Sequence, residues 1–364
     1  MRTRAASSAA AGAAYKTEIQ TPMIPVTTDS TRRWGALFWF LAGTLLLTAA
    51  MLAAIPEAMQ QLRSLADRLA GPFVLAYQTW VPLPLQPLIA KAAGVFLTPW
   101  LYLVMLLVFV AERYIPADRT QRVFSVGMLQ DFIAWFTLDG LMRALVVGTI
   151  VTVMYKLYHP HLDFLTLHLM SDWPPAARIV MALLVVDFLN WFHHYIRHKI
   201  DILWLFHSVH HSQREMNMFT DLRVHFVEHL VAKPIVILPL LMLDLDLEPA
   251  FWIVLFRDWY SRIYHANLRT NFGPLRHILV TPQSHRIHHS ADPRHRDRNF
   301  GVLLTIWDRI FGTQWPDYTE YPATGITDPN FPHEHDARGT NILSNYLRQL
   351  AYPFRAVWAR GRPG

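Results

Sequence analysis

The amino-acid sequence predicts an all-α protein: an integral membrane helical bundle with a histidine-rich, two-metal cap on its cytosolic side. Of its 364 residues, 52% are hydrophobic and 16% are charged, whereas charged residues make up roughly a quarter of an average soluble domain. Several apolar runs are long enough to cross a bilayer as helices. Fourteen of the nineteen histidines lie between His193 and His295, which indicates a metal site in that region.

The chain divides into four predicted parts. Residues 1–33 are rich in Ala, Ser, Thr and Pro without a periodic apolar face, so we expect a disordered tail. Residues 34–104 are predicted to form an N-terminal membrane anchor with an interfacial segment. Residues 105–320 are predicted to form the membrane catalytic domain. Residues 321–364 are predicted to be a C-terminal tail with an amphipathic helix on the membrane surface.

The apolar runs predict several passes through the membrane. Residues 34–56 and 92–111 contain no charged side chain and are the clearest spans. Between them, residues 57–91 combine an amphipathic segment with a proline-rich stretch, which favours the membrane surface. A second pair, residues 132–155 and 176–192, leads directly into the first histidines. The sequence thus predicts four spans before the metal site.

Positive charge predicts the orientation of these spans. Arginines precede the first span and follow the second, and both clusters should therefore face the cytoplasm: Arg32, Arg33, Arg113, Arg119 and Arg122. Four spans then return the chain to the cytoplasm before His194. Residues 234–256 are expected to form a shallow re-entrant hairpin or a third helical pair that returns His265 to the same side. We expect a multi-pass protein of a bacterial inner membrane with its metal site facing the cytoplasm.

Charge and cysteine content exclude several classes of protein. The net charge is +6, but Arg and Lys are spread along the chain and no nucleic-acid motif is present, which favours contact with anionic lipid over nucleic acid. The sequence has no cysteine. Disulfides, thiolate metal ligands and a cysteine-bound iron–sulfur cluster are therefore excluded.

The spacing of the histidines predicts two metal ions. His194 and His198 are four residues apart and share one helix face. Two copies of the pattern His-x-x-His-His follow, at His207, His210, His211 and at His285, His288, His289. Adjacent residues of a helix diverge by about 100°, so each triple can offer ligands to two neighbouring ions. Imidazole ligands alone leave iron, zinc, copper and nickel open.

Other candidate residues carry less information by themselves. His265 and His225 are candidate ligands because the stronger histidine motifs lie near them in the sequence. His193 is expected to point away from the site and His295 to be solvated in a charged loop. Asp187 lies two helical turns before the first histidine pair, where it could orient the second nitrogen of a ligand or be a paired buried acid at the membrane boundary.

The order of these motifs resembles the fatty acid hydroxylase and sterol desaturase superfamily of membrane diiron enzymes. The resemblance covers roughly residues 105–320 and includes LWLFHSVHH, RVHF, YHANLR and TPQSHRIHHS. Two further segments agree independently of the histidines: NFG at Asn299–Gly301 and WDRIFGT at Trp307–Thr313. The resemblance implies an O2-dependent oxidoreductase that hydroxylates or desaturates an unactivated C–H bond of a lipid, such as a sterol or a fatty acyl chain.

The resemblance also implies the ligands and cofactors. The family's ligand positions fall on His194, His198, His207, His210, His211, His265, His285, His288 and His289, with His225 as a tenth candidate. These histidines would hold two iron ions, Fe2+ or Fe3+, and O2 would be the co-substrate. The reaction would also require a dry apolar channel for the lipid. The sequence departs from some relatives at Ser261, where they carry a further histidine. The first 90 residues lie outside the resemblance.

Partners and alternatives complete the prediction. The chain shows no haem, flavin or iron–sulfur motif, so electrons should come from an external ferredoxin-like protein or a b-type cytochrome. A zinc-dependent membrane hydrolase or isomerase is an alternative, although no His-Glu-x-x-His motif supports it. A noncatalytic metal-binding membrane protein is another. Sterols, acyl chains, carotenoids and amino-lipid headgroups all remain open as substrates.

Overall fold

The computed structural model describes residues 79–87, 99–122, 124–136, 138–334 and 341–360. Within these ranges the secondary structure is helical, without a β-strand, and the predicted all-α class is confirmed for this part of the chain. Three isolated β-bridges join loop segments there: Pro116–Leu268, Leu279–Leu304 and Ser290–Thr324. The predicted tail and the predicted span at 34–56 lie outside the described residues, as does the start of the span at 92–111.

The α-helices of the described residues are numbered in chain order. They are α1 (Pro99–Tyr114), α2 (Val126–Phe136), α3 (Leu138–His161), α4 (Pro175–Lys199), α5 (Asp201–His211), α6 (Phe226–Met242), α7 (Leu247–His265), α8 (Pro282–His288), α9 (Ile306–Ile310) and α10 (Ile342–Arg360). Short 3-10 helices lie at Leu83–Leu85, Asp163–Leu165, Thr220–Leu222, Gly273–His277 and Pro293–His295.

Helix α4 carries the first two histidines of the predicted site and contacts three other helices. Pro175 occupies its first turn, where the fixed φ of proline suits a helix start, and α5, α6 and α7 contact it. Among the described residues, α4 is the one helix long and apolar enough to cross a membrane by length and composition. The predicted span at 132–155 falls across α2 and α3, neither of which meets that criterion. A multi-pass bundle therefore stays a prediction.

Helices α6 and α7 form a pair that returns the chain to the end of α4. They are joined at a tight turn in which Asp244 adopts a positive φ of 49°. Buried apolar side chains from α4, α6, α7 and the flanking loops lock the pair together: Met170, Ala182, Val186, Val236, Leu240, Leu245 and Ala250. Residues 234–256 lie within this pair of helices, and the pair places His265 at the same end as the histidines of α4. A re-entrant hairpin and a third pair of membrane-crossing helices both stay predictions.

Helix α10 buries two polar side chains and exposes several large apolar ones. Asn345 and Gln349 are buried, and the Asn345 side-chain oxygen accepts a hydrogen bond from the Gln130 amide of α2 at 2.7 Å. Four large apolar side chains of α10 are exposed: Leu343, Leu347, Phe354 and Trp358. Large exposed apolar side chains are compatible with the predicted position of this helix on a membrane surface.

Candidate metal centre

Nine of the ten predicted histidine ligands form two adjoining groups. The five-histidine group contains His194, His198, His207, His211 and His288, and the four-histidine group contains His210, His265, His285 and His289. Within each group, one ring nitrogen per residue lies within 4.8 Å of the others. The nine residues come from α4, α5, α7 and α8, with His289 at the C-terminal cap of α8.

The two His-x-x-His-His triples are divided between the groups in opposite ways. In α5, the first and third histidines belong to the five-histidine group and the middle one to the four-histidine group. In α8, the first and third belong to the four-histidine group and the middle one to the five-histidine group. Residues four apart share a helix face, whereas adjacent residues diverge by about 100°. Each short helix therefore contributes to both groups.

Hydrogen bonds fix the proton position in five of the nine imidazoles. Each of these five donates its Nδ1–H to a protein oxygen: His194 to Phe300 O at 2.9 Å, His207 to Glu228 Oε2 at 2.8 Å, His210 to Arg223 O at 3.2 Å, His265 to Ser261 O at 2.8 Å and His288 to Arg298 O at 2.9 Å. Since the oxygens act as acceptors, Nδ1 carries the proton and Nε2 keeps a lone pair. Metal-binding histidines are oriented in this manner.

The lone pairs converge where a cation would be favourable. In the four-histidine group, His265 Nε2 lies 3.2 Å from His210 Nε2 and 2.8 Å from His285 Nε2, and His289 Nε2 lies 3.1 Å from His285 Nε2. The first pair brings two lone pairs together without a proton between them. In the five-histidine group, His288 Nε2 is buried and has no hydrogen-bond partner. Both groups therefore fit a metal ion, whose charge would satisfy these nitrogens.

Burial keeps the imidazoles neutral. It lowers the pKa of His288 to about 3, from an ordinary value of 6.5. Burial likewise lowers the pKa of His211 and His285 well below that value, and the neighbouring histidines lower it further. Neutral imidazole is the form that binds a metal, so the site presents ligands without first releasing protons at neutral pH.

The NFG segment positions one carbonyl against the five-histidine group. Buried Asp308 accepts hydrogen bonds from the backbone N–H groups of Phe300 at 2.8 Å and Gly301 at 2.7 Å. A Cβ atom at position 301 would lie 2.9 Å from Asp308 Oδ2, so glycine is needed for this close approach. The turn presents the Phe300 carbonyl to His194 Nδ1. The two motifs without histidines, NFG and WDRIFGT, thus support a histidine of the site.

Glu228 is a site residue that the sequence analysis missed. It is 3% exposed, accepts the hydrogen bond from His207 Nδ1, and is paired with Arg197. Glu228 also accepts from the His225 backbone N–H at 3.2 Å, as part of the capping box that starts α6. An acid three residues into a helix predicts a cap, and the sequence contains nothing that connects this acid to His207.

The structure places His225 outside both groups. Its Nδ1 accepts from the Val227 N–H at 3.2 Å, and its Nε2–H donates to the Leu350 carbonyl at 3.0 Å. Both ring nitrogens are therefore occupied. The residue caps α6 and joins it to α10, and no lone pair is directed at either histidine group.

The structure also places Asp187, His193 and His295. Of the two roles left open for Asp187, that of a buried acid with partners fits: it is 2% exposed, and its Oδ2 accepts from Trp307 Nε1 at 2.9 Å and from Leu304 N at 3.1 Å near the start of α9, not from a histidine. His193 lines a cavity beside both groups, although we expected it to point away. The prediction of a solvated His295 is wrong: its side chain is 1% exposed because the loop folds it toward Ser290 and Glu320.

Two cavities border the histidines. The inner cavity, of about 110 Å³, lies between α4, α6 and α7 and is lined by histidines of both groups and by six charged side chains. The outer cavity, of about 350 Å³, is lined by Trp204, by residues 290–293, 296–297 and 325–329, and by histidines of the five-histidine group alone. Because six charged side chains line the inner cavity, it is not an apolar channel, and the expected channel stays a prediction.

Two adjoining sets of neutral imidazoles form a candidate metal centre. Residues 179–313 match the family model of fatty acid hydroxylases, which confirms the predicted resemblance for this part of the chain. All nine grouped histidines lie within the matched residues.

Relatives with known names agree with this assignment. An ornithine lipid hydroxylase of Rhizobium tropici is 27% identical over 67% of this chain and 71% of its own length. Alkylglycerol monooxygenases of Danio rerio and Homo sapiens are 35% and 34% identical over 43% of this chain. The chain spans about a third of the length of these two monooxygenases. No solved structure matches the chain. The relatives support the predicted enzyme class for the matched domain, an oxidoreductase that hydroxylates lipids.

Proposed function

We propose that the chain is a membrane-bound, non-haem diiron oxygenase that hydroxylates an unactivated C–H bond of a lipid. The reaction converts C–H, O2, two electrons and two protons into C–OH and water. The observation that carries the proposal is the convergence of neutral imidazole nitrogens into two adjoining groups beside one cavity, within a domain of the fatty acid hydroxylase family. The names of the relatives support a lipid substrate.

The nine grouped histidines would hold two iron ions, His194, His198, His207, His211 and His288 one of them and His210, His265, His285 and His289 the other. When bound, the irons supply the redox chemistry that activates O2. Imidazole ligands suit iron, zinc, copper and nickel, but zinc has no redox chemistry. Lipid hydroxylation by the relatives therefore favours iron. We do not include His225, since both of its ring nitrogens are used elsewhere.

The protein's own groups orient the ligands. Glu228 and the carbonyls of Arg298 and Phe300 hold the Nδ1–H groups of three histidines, which directs their Nε2 lone pairs into the five-histidine group. Arg197 offsets the negative charge of Glu228. Eight of the nine side chains are buried and His198 is partly buried, which limits the access of water that would otherwise compete for the ligand positions.

We also propose the cellular setting. Residues 105–320 form the catalytic domain, the protein crosses a bacterial inner membrane several times, and the histidine groups face the cytoplasm. A ferredoxin-like protein or a b-type cytochrome delivers the electrons. The apolar helix α4 and the outward-facing apolar side chains of α10 support membrane contact.

The first experiment combines metal analysis with oxygen labelling. Detergent-purified protein from cells grown in iron-57 is analysed for metal content and by Mössbauer spectroscopy, then reduced and exposed to oxygen-18 gas with membrane lipids. We expect two coupled irons per chain and one labelled oxygen atom in a lipid product. Two tightly bound zinc ions in protein from iron-replete cells, with no iron-supported product after reconstitution, would contradict the proposal and favour hydrolysis or a structural role.

A further inference from the structure

The inner cavity carries charge of both signs next to the histidines. Its lining contains three cationic side chains, Arg197, Lys233 and Arg257, and three acidic ones, Asp221, Glu228 and Asp258. Histidines of both groups form part of the same lining. An apolar methylene placed here would remove water from these charges without replacing their hydrogen bonds, which is unfavourable.

The charged groups are held in fixed positions close to the ligands. Arg257 donates a hydrogen bond to the side-chain oxygen of Asn190 and is paired with Asp258. Asp258 lies seven residues before His265 on α7, two turns away on the same helix face. The Asp221 carboxylate lies 4.0 Å from His265 Nδ1. Charges of opposite sign therefore border the volume beside the four-histidine group.

The helices that enclose the cavity close together beyond it. Ala182 and Val186 of α4 are buried against Val236 and Leu240 of α6 and Ala250 of α7. This packed core fills the space between the helices, so a long acyl chain would have to separate them in order to pass. A polar group of small size fits the inner cavity better than the middle of an acyl chain.

We propose that the inner cavity receives the zwitterionic headgroup of a lipid, with an ammonium and an oxyanion group, so that the hydroxylated C–H bond lies in the headgroup. The inference rests on the proposed function and narrows it. The ammonium pairs with Asp221 and Asp258, and the oxyanion pairs with Lys233 and Arg257, whereas Glu228 and Arg197 stay paired with each other. One oxygen atom of O2 enters the headgroup C–H bond and the other leaves as water, with two electrons from the external carrier and two protons.

The test uses the full-length, iron-loaded protein with its donor and oxygen-18 gas. Three lipids with identical acyl chains are supplied: an amino-acid lipid with a free carboxylate and ammonium, phosphatidylethanolamine and diacylglycerol. Tandem mass spectrometry locates the label. We expect it in the headgroup fragment of a zwitterionic lipid, and the preferred lipid identifies carboxylate or phosphate as the oxyanion. Label in an acyl fragment, or equal labelling of diacylglycerol, would overturn the headgroup inference and leave lipid hydroxylation standing.

Binding separates this inference from a failure of catalysis. The affinity of each lipid for the zinc-loaded protein is measured in micelles, where no turnover occurs. We expect the zwitterionic lipid to bind more tightly than diacylglycerol, and Asp258→Asn and Lys233→Gln each to weaken it by about tenfold, the cost of one lost charge-assisted hydrogen bond. Asp163→Asn, at an exposed acid outside the cavity, is the matched control. Equal affinity for the three lipids, or no effect of either substitution, would refute the headgroup site even if no lipid is hydroxylated.

Discussion

The two histidine groups differ in their number of ligands and in their surroundings. The five-histidine group borders both cavities, through His194 and His207 on the inner side and through His198, His211 and His288 on the outer side. The four-histidine group borders the inner cavity, through His210, His265 and His285. Both groups thus border the proposed substrate site, and the group with more imidazoles also borders the second cavity.

The two groups also differ in how many of their histidines are oriented by hydrogen bonds to protein oxygens. The five-histidine group has three histidines held by outer oxygens, from Glu228 and residues 298–300. The four-histidine group has two, held by backbone carbonyls at Arg223 and Ser261. With one imidazole fewer and fewer orienting contacts, the four-histidine group should be the more sensitive to loss of a ligand.

The largest loss of bound metal is expected for His265→Ala. The substitution leaves three imidazoles and removes the nitrogen that lies closest to both His210 and His285. We expect one of two bound metals to be lost and turnover to fall by more than about 100-fold, since even a residue that only orients a ligand is worth 10–100-fold. Metal content after gel filtration and lipid turnover measure it. His168→Ala, at an exposed histidine, is the control, and retention of both metals would contradict the assignment.

A smaller loss of metal is expected for His288→Ala. Four imidazoles would remain in the five-histidine group, so this variant should keep more metal than His265→Ala in a chelator titration. Turnover should still be abolished, because the Nε2 of His288 points into the group without another partner. Full activity of the variant would refute its role as a ligand. Equal metal loss in the two variants would remove the proposed asymmetry between the groups.

Glu228→Gln should weaken one group and spare the other. The amide keeps the shape of the side chain but loses the charge that holds His207 Nδ1 and pairs with Arg197. We expect metal affinity of the five-histidine group to fall by about 10–100-fold and that of the four-histidine group to stay unchanged. Sequential metal titration separates the two sites. Glu248→Gln, at an exposed acid on α7, should change neither site, and an equal loss at both sites would show that Glu228 acts through general stability.

Gly301→Ala should give the smallest effect on metal and a measurable effect on stability. Its Cβ would lie 2.9 Å from Asp308 Oδ2 and 2.9 Å from Val280 Cγ2, and overpacking of this kind costs about 1–3 kcal/mol. We expect a lower free energy of unfolding and slightly weaker metal binding in the five-histidine group. Gly148→Ala is the matched control: it meets nothing within 4 Å and should be neutral or stabilising in a helix interior. Equal unfolding midpoints would contradict the packing argument.

The local spacing of residues is enough to predict the histidine motifs and the fold class. Histidines four apart share a helix face wherever a helix forms, so the pair His194 and His198 and the two triples follow from helical geometry alone. The all-α class follows from the helical pattern of the apolar residues in the same way. Of the predicted membrane spans, one corresponds to a described helix with the length and composition for a membrane crossing, α4.

Contacts between segments far apart in the sequence determine the roles of His225 and Glu228 and the lining of the inner cavity. Spacing gave no reason for His225 to cap α6 rather than bind metal, because that depends on the Leu350 carbonyl from α10. The carboxylate of Glu228 reaches His207 from another helix. The charged inner cavity exists only where α4, α6 and α7 meet. Helical periodicity determines which side chains share a face, whereas the packing of helices far apart in sequence determines what each face meets.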